Sequence, residues 1–563
     1  MSRGGMPLGE WLASRGLITR DQLGIALTEQ KKTGKLLGEL FVTLGFVSAA
    51  AMREAIAEKT GTESVELPEG TADAYALAHV PRELARRFTL FPLAYDAASR
   101  TLTLAMAQPT NLVAHDQIRL ASRGEVAHIE AKLASPAEID EAIDRHYGAV
   151  LSIDSIVAEL EAVGDDATAG GSTQPVIRLI DALLSDAVLS GASDIHFEPE
   201  LGFVRIRYRI DGVLSQIRVL HKDYWPAMAV RLKVMSGLNI AETRAPQDGR
   251  MTLTLSGREI DFRIAVLPVL HGENVVLRVL DRARGIVLLD SLGLSGAALH
   301  QLRLMLARPE GMVVVTGPTG SGKTTTLYSM LSHLNDVGVN IMTLEDPVEY
   351  PLPMVRQTPV NEAVKLDFAS GIRALMRQDP DIILVGEIRD TETASMAFRA
   401  AMTGHQVFAT LHTHSALGAL ARLADLGVLP DMMAGNISGV IGQRLVRVLC
   451  VQCKTASTPD DVEQRLLFLP NSPPPEMIFR PVGCPQCRGT GYRGRRTVME
   501  VLRFDEEFDA LVGSRAPLSA FRALVAQREV MPLADAAVAL VRAGETALEE
   551  VLRVVDLTGR LAR

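Results

Sequence analysis

The sequence predicts a multidomain protein of mixed α/β and α+β class. At 563 residues the chain is long enough for about four domains. An apolar run, a glycine-rich loop and a helical segment follow one another between 312 and 331, which is the strand–loop–helix order of an α/β domain. A small, polar, glycine-rich stretch at 164–173 indicates a flexible linker between a front half and a back half.

The overall composition narrows the class of protein. The net charge is −9 and aromatic residues make up 4%, which argues against a nucleic-acid coat protein and against a base-stacking surface. The first residues lack the apolar region of a secretory signal, and no apolar run approaches the roughly 18 residues of a spanning helix. We therefore expect a cytoplasmic protein that docks on a membrane only through a partner.

The first predicted domain, residues 1–65, is a helical repeat. Residues 8–12 match 37–41, and residues 16–19 match 45–48, at a constant offset of 29. In each copy a glycine stands where a first helix should end, and a threonine or serine stands where a second should be capped. Each copy is therefore predicted to be one helix–turn–helix unit with an apolar face.

Four further segments complete the predicted organisation. Residues 66–150 have the pattern of a small α+β module, and 151–174 are the predicted flexible linker. Residues 175–288 are predicted to be an α+β subdomain with an antiparallel sheet, because apolar and polar residues alternate in several runs. Residues 289–563 are predicted to hold the α/β core, with a cysteine-bearing insertion at about 450–487 and a helical tail from about 505.

The glycine-rich loop fits the pattern G-x-x-x-x-G-K-[ST], which cradles phosphate groups. Glycines let the backbone approach the phosphates, so that N–H groups point inward. Lys323 would reach the β- and γ-phosphates, and the Thr324 hydroxyl would hold Mg²⁺. The predicted contacts with a nucleoside triphosphate are Gly317, Pro318, Thr319, Gly320, Ser321, Gly322, Lys323, Thr324 and Thr325.

Two acidic features accompany this loop. Glu387 follows the apolar run 382–385, and a carboxylate at the end of such a strand can orient or deprotonate the attacking water. The other interpretation of Glu387 is a solvated carboxylate at a strand end. Glu345, Asp346 and Glu349 follow a second strand-like run and could hold Mg²⁺ or its waters, although acidic turns are common.

Three histidines lie within ten residues, at His405, His412 and His414. They could bind zinc, or a histidine at a strand end could donate to a phosphate oxygen and sense it. Alternating apolar residues between His405 and His412 predict a strand, which favours the sensor role.

All four cysteines form two C-x-x-C pairs, Cys450 with Cys453 and Cys484 with Cys487. Each pair can grip one metal, so two pairs predict a four-thiolate structural zinc site that brackets an inserted loop. Disulfides are not expected in a cytoplasmic chain, and thiol redox chemistry is the alternative.

Arginines near these motifs are candidate phosphate ligands, since guanidinium groups match phosphate geometry. From spacing alone each is more often a surface charge. The candidates are Arg263, Arg278, Arg373, Arg377 and Arg389.

Taken together, these motifs resemble those of the secretion ATPases that drive type II secretion and type IV pilus assembly. The resemblance runs nearly end to end. It rests on residues 192–199, 209–213, 246–250, 271–273, 317–324, 345–349, 377–381, 385–390, 410–413 and 490–495.

The resemblance implies a RecA-like phosphate-loop ATPase core, preceded by a PAS-like α+β subdomain and small helical and α+β N-terminal domains. It implies a homohexameric ring at the cytoplasmic face of the inner membrane, which hydrolyses ATP and moves an inner-membrane platform protein that assembles a fibre. Two cysteine pairs and N-terminal domains are typical of assembly motors rather than retraction motors. Type II secretion, type IV pilus and mannose-sensitive-type pilus machines remain open.

The resemblance also assigns roles to residues. Glu345, Asp346 and Glu349 match the family's Asp box, and residues 404–412 match its His box. Arg263 and Arg278 match arginines that reach the nucleotide phosphates when two subdomains close. His414 stands where the family usually has asparagine, so the resemblance gives it no role.

The N-terminal repeat resembles a module that binds cyclic di-GMP in some pilus motors. Pro7 and Leu36 replace that module's arginines, and Lys59 replaces its second glutamine. A platform-docking module without a ligand is the alternative. The residues that match the ligand-binding pattern are Leu8, Gly9, Leu12, Gly16, Leu37, Gly38, Phe41 and Gly45.

Two other functions are compatible with the same core. A nucleic-acid translocase related to DNA uptake is disfavoured by the acidic charge and the few aromatic residues. A catalytically silent scaffold is disfavoured because Lys323, Thr324 and Glu387 are all present.

Overall fold

The structure is a computed structural model. It describes residues 6–60, 63–65, 67, 73–122, 124–147, 153–163, 174–255, 258–281, 287–469, 473, 475–528 and 530–561. Two compact units divide the chain, Met1–Asp281 and Arg282–Arg563. The predicted boundaries of the smaller domains remain predictions.

The first unit begins with the helical repeat. Its helices are α1 Leu8–Ser14, α2 Arg20–Thr33, α3 Leu37–Thr43 and α4 Ala49–Thr60. Thr19 caps α2 by accepting from the Gln22 N–H at 3.1 Å, while the Gln22 side chain accepts from the Thr19 N–H at 2.7 Å. Each copy thus forms the helix pair that its spacing predicts.

A small α+β module follows. Its elements are α5 Ala74–Ala78, α6 Arg82–Phe88, β1 Leu90–Asp96, β2 Thr101–Met106, α7 Leu112–Ala121, β3 His128–Leu133 and α8 Pro136–Tyr147. Within the described residues the three strands form one sheet, with β1 antiparallel and β3 parallel to β2. Leu102 and Leu104 are fully buried under the helices.

The predicted linker at 151–174 is wrong in part. Helix α9, Ile153–Val163, packs on α10, Gln174–Leu189. Ile156 and Leu160 are buried, and their spacing of four residues gives this helix one apolar face. Residues 164–173, where the linker is richest in glycine, lie outside the described residues.

The first unit ends in an antiparallel sheet, as the alternation predicts. Its elements are β4 Ala192–Pro199, β5 Phe203–Ile210, β6 Val213–His221, α11 Trp225–Met235, β7 Gln247–Leu255, β8 Arg258–Val269 and β9 Gly272–Asp281. In the described part of this region the strand order is β6-β5-β4-β9-β8-β7. Ile195, Phe197 and Tyr208 face α10 and α11 and are fully buried, so the opposite face carries the polar residues.

The second unit is built on a mostly parallel sheet. Its elements from the first helix to β15, the last of the parallel strands, are α12 Gly296–Leu306, β10 Gly311–Thr316, α13 Lys323–Leu334, β11 Ile341–Glu345, β12 Arg356–Pro359, α14 Phe368–Leu375, β13 Ile382–Val385, α15 Thr391–Met402, β14 Gln406–Leu411, α16 Gly418–Asp425, α17 Pro430–Met433 and β15 Ile437–Leu449. They are followed by β16 Thr455–Ser457, α18 Asp461–Leu466, β17 Ile478–Arg480, β18 Tyr492–Arg503, α19 Glu506–Gly513, α20 Leu518–Gln527, α21 Leu533–Arg542 and α22 Leu548–Val554.

Among the described residues of this unit the main sheet has the order β12-β11-β13-β14-β10-β15-β18. Only the β15–β18 pair in it is antiparallel. Met312 and Val314 pack into the core on one face of the sheet, and Val313 and Val315 pack into the core on the other. Burial on both faces explains why this strand is apolar throughout rather than alternating.

Parallel pairing sets the position of the site. The strands β10, β11, β13 and β14 run in the same direction, so their carboxyl ends lie along one edge. In such a sheet ligands bind at that edge. No helix in the described part of the chain combines the length and the apolar character needed to cross a bilayer.

Candidate nucleotide and metal sites

The glycine-rich loop connects the end of β10 at Thr316 to the start of α13 at Lys323. Gly320 and Gly322 have φ values of 77° and 86°, a conformation that favours glycine. A Cβ at Gly322 would lie 2.9 Å from Gln443 Nε2, so the close approach of β15 also requires glycine there.

Lys323 lies inside this loop. Its ammonium donates to the Gly317 carbonyl at 2.8 Å and to the Pro318 carbonyl at 3.1 Å. Burial lowers the pKa of Lys323 to about 8, and Arg444 lowers it further whereas Glu387 opposes the shift. The loop thus presents one cation at the amino end of α13, where the helix dipole also favours anions.

Glu387 follows β13 at the same edge, and its side chain is 15% exposed. It pairs with Arg389, and its Oε2 lies 3.6 Å from His412 Nε2. Burial lowers the pKa of His412, and the nearby Lys323 adds to that effect while Glu387 opposes it. The structure therefore brings the loop lysine, Glu387, Arg389 and His412 into one cluster.

The sensor prediction for His405 is wrong for this loop. His405 precedes β14, whereas His412 follows it, and the His405 carbonyl accepts from the Gly311 N–H at the start of β10. Its ring nitrogen Nδ1 lies 3.0 Å from the Ala400 carbonyl. Six strand residues separate the two histidines by about 20 Å, so His405 lies at the opposite edge of the sheet.

Glu345 has a different role from the predicted magnesium ligand. It is 4% exposed, and its carboxylate accepts from Tyr328, from Thr343 at 2.6 Å and from Gln357 at 3.1 Å. Burial and the adjacent Glu345 raise the pKa of Tyr328, which therefore stays a donor. A buried carboxylate needs such donors, so Glu345 holds α13 and β12 to the end of β11.

The other members of the acidic cluster are more accessible. Asp346 is 45% exposed and lies 4.0 Å from Arg389, while Glu349 is half-buried. Asp346 thus connects the acidic cluster to Arg389 and so to Glu387. The magnesium prediction stays a prediction for these two residues.

The structure finds two site residues that sequence reasoning missed, Gln443 and Arg444 on β15. The Gln443 amide accepts from Thr326 Oγ1 at 2.9 Å and donates to the Ser321 carbonyl at 2.8 Å, which ties β15 to the phosphate loop. Arg444 is 6% exposed beside it. A polar pair inside an apolar strand run was the signal available in the sequence.

The remaining candidate arginines lie in different places. Arg263 on β8 and Arg278 on β9 lie opposite each other in the antiparallel register of the first unit. Arg278 Nε lies 3.5 Å from Asp194 Oδ1. Arg373 pairs with Glu392 at 3.1 Å, and Arg377 donates to the Arg373 carbonyl. Their role as phosphate ligands stays a prediction.

The four cysteines converge, as their spacing predicts. Their Sγ atoms lie within 4.8 Å of one another, with pairs at 3.7 and 3.8 Å. Zn–S bonds of about 2.3 Å in a tetrahedron place sulfur atoms about 3.8 Å apart. The Gly483 and Gly491 N–H groups also point at Sγ atoms, at 3.3 and 3.2 Å, which suits thiolates. The donor set therefore fits zinc.

The residues predicted to bind cyclic di-GMP hold the repeat together. Leu12 and Phe41 are fully buried in its core. A Cβ at Gly9 would lie 2.3 Å from the Leu23 side chain, so glycine allows α1 to approach α2 closely. Cyclic di-GMP binding by these residues stays a prediction.

Comparison with known proteins agrees with the geometry. Residues 170–553 match the family described as type II/IV secretion system protein. The chain belongs to that family. It is 36% identical over 564 residues to the type IV pilus assembly ATPase PilB of Myxococcus xanthus, covering 97% of this chain and 98% of the relative. It is therefore an ATPase of the type II secretion and type IV pilus assembly group.

Three further comparisons cover different parts of the chain. The type II secretion system ATPase E of Vibrio cholerae is 42% identical over 433 residues, which is 76% of this chain and 86% of the relative. The Legionella pneumophila ATPase DotB shares the fold, with a TM-score of 0.51 and 22% identity over 66% of this chain and 94% of that one. Residues 60–153 match the MshEN domain, so this match covers the α+β module rather than the helical repeat.

Proposed function

We propose that this chain is a homohexameric motor that hydrolyses ATP to assemble a type IV pilus or a type II secretion pseudopilus. The observation that carries the proposal is the cluster of Lys323, Glu387 and His412 beside the phosphate loop. The match to a pilus assembly ATPase over 97% of the chain supports the fibre as the product. We place the motor at the cytoplasmic face of the inner membrane, peripheral to it, through a platform protein.

In this proposal the chain's own side chains divide the work. Lys323 leaves the Gly317 and Pro318 carbonyls and binds the β- and γ-phosphates. Glu387 then orients and deprotonates the attacking water, and Arg389 must move from Glu387 for that carboxylate to act as a base. His412, neutral near pH 7 because burial lowers its pKa, lies beside Glu387 to donate to the γ-phosphate.

Two metal ions complete the proposal. Thr324, with Asp346 and Glu349, would hold Mg²⁺, which neutralises charge on the β- and γ-phosphates. Cys450, Cys453, Cys484 and Cys487 would hold one structural Zn²⁺, which fixes the ends of the insertion between β15 and β18. The sulfur distances and the N–H groups aimed at sulfur support zinc over thiol redox chemistry.

The test of the proposal is ATP hydrolysis by the full chain and by Glu387→Gln. We expect the glutamine variant to bind ATP as the unaltered chain does and to lose at least about 100-fold in kcat, since general-base catalysis contributes that much. Glu310→Gln is the matched control, because Glu310 is exposed and precedes β10 at the opposite edge. Equal hydrolysis by Glu387→Gln and the unaltered chain would contradict the proposal and favour a silent scaffold.

The hexamer has its own test. Six copies of a 60.8 kDa chain give a particle of about 365 kDa, which light scattering would detect in the presence of a non-hydrolysable ATP analogue. The variant Arg263→Ala, Arg278→Ala should keep this mass but hydrolyse ATP more slowly, because these arginines are proposed to reach phosphates in the ring. DNA-stimulated hydrolysis with strand displacement would instead favour a translocase.

The N-terminal region supports a second proposal, that residues 1–153 bind cyclic di-GMP. The MshEN match at 60–153 and the spacing of the repeat support it. Pro7 and Leu36 replace two cations, but Lys31, Lys32 and Lys35 are exposed between the copies and could pair with phosphate. Calorimetric titration of the full chain should give saturable heat with cyclic di-GMP and none with GMP. No heat with either would favour a docking module without a ligand.

A further inference from the structure

A buried carboxylate in the second unit has no part in the mechanism above. Glu500 lies on β18, is 7% exposed, and burial raises its pKa. Its Oε2 accepts from the Ala416 N–H at 3.3 Å. Ala416 belongs to the loop at 412–417, which connects β14 to α16 and begins with His412.

The same loop is held by a buried cation. Arg444 on β15 donates through Nη2 to the His414 carbonyl at 2.9 Å, through Nη1 to the Gln443 carbonyl at 2.8 Å and through Nε to the Val554 carbonyl at 3.1 Å. The His414 contact uses the backbone, so it does not depend on the histidine side chain.

The register of the two strands places both groups on one face. Gly442 pairs with Glu500, and Arg444 pairs with Val498 two residues along. Residues two apart in a strand point to the same side. A Cβ at Gly442 would lie 3.1 Å from the Ala416 nitrogen and 3.4 Å from Glu500 Oε2, so glycine leaves room for that hydrogen bond.

These contacts converge on one short segment. Within the described part of the chain neither Arg444 nor Glu500 makes an ion pair. The hydrogen bonds of both side chains are made with backbone groups. A third anchor is Thr316, whose Oγ1 accepts from the Thr413 N–H at 2.9 Å. The loop is thus fixed from the phosphate-loop side and from the β15–β18 side.

We propose that Arg444 and Glu500 are positioning residues that hold the 412–417 loop, and with it the His412 imidazole, against Glu387. The inference rests on the proposed roles of Glu387 and His412. Because His412 Nε2 lies 3.6 Å from Glu387 Oε2, a small shift of the loop changes the geometry around the attacking water. Both residues bind backbone groups of this loop, so we expect their loss to lower kcat more than it raises KM.

The link to Val554 extends this role to the end of the chain. Val554 is the last residue of α22. Arg447 lies on β15, as Arg444 does, and its Nη2 donates to Glu550 Oε2 of that helix at 2.6 Å. Glu550 is 1% exposed. Helix α22 is therefore attached to β15, whose Arg444 is proposed to position the 412–417 loop. It is not a separable tail.

The test compares Glu500→Leu with Glu500→Gln in the full chain. Leucine cannot accept from the Ala416 N–H, whereas the glutamine amide oxygen can. We expect Glu500→Leu to lower kcat about tenfold with KM for ATP within about threefold, and Glu500→Gln to stay within about twofold of the unaltered chain. Hydrogen exchange should be faster at 412–417 in Glu500→Leu and unchanged in α13. Glu310→Leu, at the opposite edge, is the matched control.

Arg444→Lys provides a second variant that keeps the charge. One ammonium cannot reach the three carbonyls that the Arg444 guanidinium binds. We therefore expect Arg444→Lys to lower kcat as much as Glu500→Leu does, and to make hydrogen exchange at 412–417 equally faster. The double variant should lose less than the product of the single losses, because both residues act through one loop.

The outcomes separate this inference from the proposed function. Unaltered kcat and unaltered exchange in Glu500→Leu would overturn it, and so would an equal loss in Glu500→Gln and Glu500→Leu. If Glu387→Gln abolishes hydrolysis in the same assay while Glu500→Leu is unaffected, the motor assignment stands and the positioning role is wrong. A wild-type rate in Glu387→Gln would instead overturn the proposed base, and the exchange measurement would still decide the loop contacts.

Discussion

At the residue scale, the carboxylates of Glu345 and Glu387 have different surroundings. Glu345 is enclosed by Tyr328, Thr343 and Gln357, whereas Glu387 is held only at the edge of the sheet by Arg389 and His412. We expect Tyr328→Phe to leave the buried carboxylate short of one donor and to destabilise the second unit by about 1–3 kcal/mol. Denaturant unfolding should show a lower midpoint for Tyr328→Phe. Tyr75→Phe, at an exposed tyrosine, should leave the midpoint unchanged.

His412 gives a prediction for pH at the same scale. Burial and the nearby Lys323 lower its pKa below the ordinary value of 6.5, so the ring is neutral throughout the neutral range. Above pH 6.5 we therefore expect kcat to show no inflection from His412, and acidification below that value should protonate the ring and lower kcat. His412→Gln should remove this acid limb, whereas His405→Gln should keep it. An inflection above pH 7 that disappears in His412→Gln would contradict the assignment.

At the element scale, β15 joins the nucleotide site to the cysteine cluster. In one strand and the turn after it, Gln443 contacts the phosphate loop, Arg447 binds the C-terminal helix and Cys450 belongs to the cysteine cluster. We expect the purified chain to carry about one zinc, and Cys484→Ser with Cys487→Ser to lose it. Metal analysis would check the zinc content. In the double cysteine variant, hydrogen exchange should be faster at 450–492 and ATP binding should be unchanged. Full protection of that segment without metal would contradict a structural zinc.

The elements also indicate what the sequence could predict. The parallel strands, the phosphate loop and the cysteine site follow from local patterns, because apolar runs, glycines and C-x-x-C spacing each act within a few residues. The roles of Arg444 and Glu500 could not be predicted, because the loop groups that they bind, the His414 carbonyl and the Ala416 N–H, lie 30 and 84 residues away along the chain. His405 and His412 looked equivalent by spacing, although the six-residue strand between them necessarily puts them at opposite edges.

At the scale of the whole molecule, the second unit contains the phosphate loop with its cluster of charged residues, and the first contains Arg263 and Arg278. The family match covers 170–553, and the pilus assembly ATPase match covers nearly the whole chain. The match to the pilus assembly ATPase therefore includes the N-terminal modules. We propose that ATP hydrolysis with Glu387 as the base drives the assembly of a fibre.

Fibre assembly in the cell tests this proposal. A strain whose sole copy of this chain is Glu387→Gln is compared with the Glu310→Gln strain by counting surface fibres or measuring secreted substrate. We expect normal protein levels in both strains, normal fibres in the control, and no fibres or secretion in Glu387→Gln. Normal fibre assembly by Glu387→Gln, at equal protein level, would contradict it.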